Sequence, residues 1–166
     1  MEKLPYLKDY SGETLEQLIG MHGTVKTFSI NFAIERALKL RFGYEDSSEL
    51  SPYQRVILAV QHIKREVMNG GFRQLFFNSS RFFLPYVVDA LERIDCPKTA
   101  NLARQAIATL NPGEMATIGD RVLEHSPERK EALTKLDQQF FKYEEPLDEK
   151  LFAWIKANRE YIALSE

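Results

Sequence analysis

His62 and Glu66 stand four residues apart, a spacing that sets two side chains on one face of a helix. An imidazole and a carboxylate so placed could ligate a divalent metal, but such a site needs at least a third ligand. His22 and His125 sit in no matching motif, so a surface or half-buried polar pair is the plainer reading. Glu66 also has amides downstream, Gln74 and Asn78. A lone carboxyl among amides could do acid–base work if its pKa were raised. The competing reading is a buried polar network whose amides satisfy the carboxylate and fix a bend. Between these residues lies Asn69-Gly70-Gly71. Its backbone N–H groups could form an anion nest at the start of the next helix. A phosphate loop would add Lys or Ser/Thr in register; Arg73 is the nearby cation, which favours a plain helix–helix corner.

Two acidic clusters offer a different chemistry. Glu144, Glu145, Asp148 and Glu149 bracket Pro146, and Glu45, Asp46 and Glu49 form a second group with Ser47 and Ser48. Carboxylates on a surface can stand opposite a basic protein face; equally, both clusters read as solvated junctions between helices. Cys96 precedes Pro97 and reads as a small helix-boundary residue rather than a reactive thiol. No Gly-x-Ser-x-Gly, Walker or Cys/His nucleophile pattern occurs, so no catalytic residue is assigned.

The elements that must position these groups are helical throughout. Tyr53, Val56, Val60, Ile63 and Val67 recur at three and four residues, an apolar stripe of helical period. Ser51-Pro52 predicts the start of that helix, with Ser as N-cap and Pro at its first position. Leu58 and Ala59 lie off the stripe, so neighbours are expected on more than one side. Arg55, His62, Glu66 and Asn69 share another arc. Gly70-Gly71 predicts the break, since glycine takes left-handed backbone at little cost. Phe72, Leu75, Phe76, Phe77, Phe82 and Phe83 follow, too large an aromatic load to leave in water. Asn78-Ser79-Ser80 reads as a turn and a new helix cap.

Around this centre the spacing predicts helices over 14–21, from 24 or 25 to 42, over 84–94, over 98–110, from 127 to about 142, and from 147 to about 162. In the second of these, Phe28, Phe32, Ile34, Ala37, Leu38 and Phe42 are expected to form a broad apolar face. Residues 114–126 read as less regular, with a turn or two near Arg121–Glu124. No β-branched alternation of strand period appears. The expected fold is all-α: a single globular domain over 1–166, about seven or eight helices in irregular antiparallel packing.

Composition agrees. Hydrophobic residues are 44% and charged residues 28%, ordinary for a globular chain. One cysteine excludes an internal disulfide. There is no signal-peptide core and no apolar run of membrane-spanning length, so a cytoplasmic protein without membrane contact is expected. The net charge of −2 does not suit direct nucleic-acid binding. No metal or cofactor is expected.

The central run resembles the signature of a bacterial DNA-mimic protein family, itself a domain of unknown function. Glu66, Asn69, Gly70, Gly71, Phe72, Gln74 and Asn78 match that signature; Met68 stands where the family usually has Asn, and Leu75 where it usually has an aromatic. Asp89-Ala90-Leu91 and Leu136-Asp137-Gln138-Gln139-Phe140-Phe141 are similar to later family segments. The resemblance covers roughly 45–160, leaving 1–44 as separate N-terminal helices. It implies a non-enzymatic protein-binding module that occupies the DNA-binding surface of a regulator as a homodimer, with the two acidic clusters as the candidate contact residues. The alternatives drawn from the residues are a small enzyme or ligand-binding domain with a pocket at Glu66, Gln74 and Asn78, and an immunity-type inhibitor of one toxin.

Overall fold

Local caps start the helices. In the computed structural model, which describes residues 3–46, 48–111, 113–114 and 126–164, with the side chain of Ser79 left out, Thr14 caps helix α1 (Leu15–Gly20) through a reciprocal bond with Gln17. Ser51 does the same with Gln54 at the head of α3 (Pro52–Phe77), with Pro52 in its first turn. Each pairing satisfies donors that a helix N-terminus otherwise leaves open. Pro residues also open α4 (Leu84–Arg93), α5 (Pro97–Ile107) and α6 (Pro127–Phe140). Helix α2 spans Thr27–Phe42 and α7 spans Leu147–Ala157. Short 3-10 turns follow α3 at Ser79–Phe83 and α7 at Arg159–Tyr161. Among the described residues there are seven α-helices and no strand, so the all-α expectation holds. The reading of turns near Arg121–Glu124, and His125 with it, lies outside the described residues.

Helix α3 is the axis of the fold. It contacts α2, α4, α6 and α7, and its buried residues include Val56, Ile57, Leu58, Ala59, Val60, Ile63 and Val67. Neighbours on several sides explain why the apolar positions exceed one stripe. After the bend, Phe72, Leu75 and Phe76 are fully buried, with Phe83 from the following turn. Phe77 is half-buried and Phe82 exposed, so the aromatic run divides between core and surface.

Helix α2 corrects the reading made from residue types. Ile34, Ala37 and Leu38 are buried as expected, but Phe28 and Phe32 face solvent while Ser29, Asn31 and Glu35 are buried. The physical reason is that most of the inward polar atoms find partners, the buried Oδ1 of Asn31 being left without one. Ser29 donates to the Lys26 carbonyl. The Asn31 amide donates to the Asp148 carbonyl at 2.9 Å. Glu35 pairs with Lys39 and, at 2.5 Å, with Arg65 of α3. A buried polar group so satisfied costs little, and the helix then rotates its aromatic residues outward. The helix also begins at Thr27 rather than 24 or 25, because Lys26 donates its N–H to Pro5.

Candidate functional site

The bend in α3 is set by two glycines. Gly71 has φ 75°, and Gly70 has φ −157° and ψ 19°, outside the helical region. A Cβ on Gly71 would stand 2.3 Å from Oδ2 of Asp137. The other oxygen of Asp137 accepts the Phe72 N–H at 2.8 Å. The Phe72 ring meets Phe140 edge-on, with centroids 5.8 Å apart and planes at 85°. Asp137 and Phe140 lie three apart on α6, so one face of that helix holds both the backbone and the ring of Phe72. Thus the anion at this corner is the chain's own carboxylate. Burial pushes the Asp137 carboxyl above its ordinary range, opposed by the Phe72 N–H.

Across the bend, Glu66 collects donors. Its Oε2 accepts from the Gln74 amide at 2.8 Å and the Asn78 amide at 2.6 Å. Its Oε1 accepts from the Ser80 hydroxyl at 2.8 Å. Arg65 lies 3.9 Å from the same oxygen and also pairs with buried Glu35. Burial alone would raise the Glu66 carboxyl. The bonds from Gln74, Ser80 and Asn78, with the charge of Arg65, outweigh it and leave the group below its usual range. A carboxylate whose lone pairs are taken by three donors is held ionised and is poorly placed to exchange protons. Glu66 is buried, Gln74 half-buried and Asn78 exposed, so shielding decreases outward along the network. Asn78 flanks the following 3-10 turn without a side-chain cap bond; its amide donates to Glu66 instead.

His62 joins the network through Ser80, which the sequence did not single out. Nδ1 of His62 lies 2.6 Å from the Ser80 oxygen. Ser80 gives its one proton to Glu66, so the bond from His62 must be Nδ1–H donating to oxygen. Burial, with Lys39 and Arg65 nearby, pushes the imidazole down to about 2, so it is neutral. Its ring lies against Phe83 at 4.6 Å. The Ser80 hydroxyl therefore bridges His62 and Glu66; among the described residues no group of three or more His, Cys, Asp or Glu is placed to hold a metal ion.

The acidic candidates divide by environment. Glu145 accepts from the backbone N–H of Lys98 and Thr99 and from the Thr99 hydroxyl, at 3.0, 2.8 and 2.7 Å. It caps α5 from another helix junction. Asp148 pairs with Lys64 at 2.5 Å and accepts from Tyr143, tying α7 to α3. Glu144 is exposed and pairs with Lys98 at 2.9 Å. Glu149 is exposed in the first turn of α7. In the second group Asp46 pairs with Arg55 at 2.8 Å and accepts from Tyr86, while Glu45 and Glu49 are exposed. The sequence grouped these acids by proximity; the fold uses Glu145, Asp148 and Asp46 internally. Glu145→Ala should therefore lower stability by about 1–2 kcal/mol, the cost of a lost cap, while Glu144→Ala should leave the melt unchanged, since exposed pairs add little. Thermal melts of the two variants check this, and equal melts would contradict it. Cys96 is fully buried, and burial with the Glu145 charge pushes its thiol up to about 12, so it is unreactive.

Glu66, Gly71, Phe72, Asp137 and Phe140 form one unit from two distant parts of the chain. A family model described as DMP19-like protein matches residues 48–158, which contain all five. The chain belongs to the DMP19-like protein family. No curated protein and no solved structure matched the chain. In this DMP19-like protein the signature residues and the Leu136-Asp137 segment are thus joined in space. The match leaves out α1 and α2. Among the described residues no helix is long and apolar enough to cross a membrane.

Proposed function

We propose that this DMP19-like protein is a non-enzymatic binding module whose carboxylates occupy the basic, DNA-binding surface of a protein partner. The observation that carries the reading is family membership over residues 48–158, since the mimic role is the one that the resemblance implies. Geometry supports it in two ways. The Glu66 carboxylate takes donors from Gln74, Asn78 and Ser80 and is held below its usual range, which weakens the enzyme alternative. The fold also enlarges the acidic cluster: Lys150 pairs with Asp95 at 2.5 Å, drawing the α4–α5 turn beside α7, and Lys98 does the same for Glu144. Asp95, Glu144 and Glu149 are all exposed there, with Glu45 and Glu49 as a second group. Surface ion pairs of this kind are weak and can exchange their Lys for a partner's Arg or Lys.

Reversing Glu144 and Glu149 to Lys should slow association and leave the fold intact, because rim charges steer encounter. Added salt should weaken the complex in the same direction. The experiment is cross-linked capture of the partner, then competition with duplex DNA. Displacement by DNA supports mimicry; a partner that binds DNA and this protein together, or an affinity indifferent to salt and to the reversals, refutes it.

A further inference from the structure

Gln61 is buried in α3 with nothing for its side chain to bond. The residue is 6% exposed, and its amide pairs with no other described residue. The fully enclosed side-chain atoms without partners, among the described residues, are Oδ1 of Asn31 and Nε2 of His62. The Gln61 amide is not enclosed, so its remaining exposure opens on the groove that it lines between α2 and α3. That groove measures about 240 Å³. It is smaller than a site for a drug-sized molecule and takes one ring system rather than a whole ligand. Its walls are Phe28 and Phe32, four residues apart on α2, and Met68 of α3, which are 39%, 57% and 50% exposed. Tyr6 meets the Phe28 ring edge-on at 5.3 Å, and the Lys64 ammonium lies 5.6 Å from its centre, so this wall is held before anything binds.

We propose that the groove takes the adenine ring of a free nucleoside. The polar group lies deep and the apolar groups stand at the sides. Whatever enters furthest must therefore be apolar on its faces and polar at its tip. A peptide backbone would stay at the rim, and a phenyl or aliphatic group would leave the amide unpaired. An amide carries donors beside an acceptor, and its match is a flat edge that carries an acceptor beside a donor. Adenine has such an edge in its 6-amino group and the neighbouring ring nitrogen, and glutamine pairs with it through two bonds. The faces of the base stack on aromatic rings. Charge selects a nucleoside over a strand. The cations beside the groove are already matched within the chain, Lys64 by Asp148 and Arg65 by Glu35. With a net charge of −2, little is left to draw a run of phosphates.

Titration of the isotope-labelled full chain with adenosine, followed by nuclear magnetic resonance, tests it. Saturable shifts are expected at the Gln61 side-chain amide. The dissociation constant should be at or below ~1 mM, which one bidentate pair and the ring contacts can supply. Purine riboside, which lacks the 6-amino group, should bind about 10-fold more weakly. Phe32→Ala should weaken adenosine by about 10-fold, the effect of losing a stacking ring, with helical circular dichroism unchanged because Phe32 is exposed. Gln61→Leu separates binding from folding. It should abolish adenosine binding and leave the melting temperature unchanged or raised, because the lost amide had no partner. Shifts at Gln61 that do not saturate, purine riboside binding as tightly as adenosine, binding that survives Gln61→Leu or ignores Phe32→Ala, or a melt clearly lowered by Gln61→Leu would each overturn the proposal. So would an oligo(dA) strand that binds more tightly than adenosine and loosens with salt, since the site would then serve single-stranded nucleic acid. None of these readings needs the protein partner, so the outcome is separate from that of the mimicry test.

Discussion

Gly71→Val is expected to lower the melting temperature by on the order of 10 °C, from a loss of about 3–4 kcal/mol. Two costs combine. A β-branched residue at φ 75° is strained by roughly 1–3 kcal/mol. Its Cβ would also overlap the Asp137 carboxylate at 2.3 Å. Moving that carboxylate away breaks its bond to the Phe72 N–H, a charge-assisted bond worth ~1.5–3 kcal/mol. The two parts can be separated by a double-mutant cycle. Gly71→Ala carries the clash with less intrinsic strain, and Asp137→Ala removes the atoms it meets. The double variant should therefore be more stable than the sum of the singles predicts. If the effects simply add in thermal melts, the clash is not the cause. A Gly71→Val melt equal to that of the unaltered protein would remove the whole account of the corner.

Glu66→Gln should cost about 2–3 kcal/mol near neutral pH. The substitution keeps the shape but turns one acceptor oxygen into a donor. That new amide faces groups that already donate, from Gln74, Asn78 and Ser80. The cost should also depend on pH, with a definite sign. Glu66 is held below its ordinary range in the fold, so its stabilisation is complete above the unfolded-state carboxyl pKa and is lost as pH falls through the folded value. Asp137 acts oppositely: raised by burial, it costs stability as pH rises through the carboxylate range. Subtracting the variant's stability from that of the unaltered protein cancels the share of Asp137. The difference should be largest near neutral pH and shrink in acid. Denaturant unfolding at several pH values measures it. A difference that is flat with pH, or that grows in acid, would show that Glu66 is not the ionised hub of this network.

Several features could be read from the chain because their physics is local. A helix cap is completed within one turn, so Thr14 with Gln17 and Ser51-Pro52 with Gln54 announce α1 and α3 from adjacent residues. The bend at Gly70-Gly71 is likewise a property of two backbones. Glu66, Gln74 and Asn78 lie on either side of that bend, close enough along the chain for their pairing to be inferred. What the periodicity could not contain was the partner of each group across the fold. Asp137 is 65 residues from Phe72, and as a helical Asp it carries no mark of the N–H that it will accept. Glu145 sits among acids of the same appearance, yet only the approach of α5 makes it a cap. Ser80 becomes the link between His62 and Glu66 only once a 3-10 turn brings it over α3. Helix α2 shows the limit most clearly. Its residue types favour burying Phe28 and Phe32, but inside the fold Lys39 and Arg65 pair with Glu35, and the Asp148 carbonyl accepts from the Asn31 amide nitrogen. Partners contributed by other helices thus set its rotation, because burying a polar group is costly only while it lacks one.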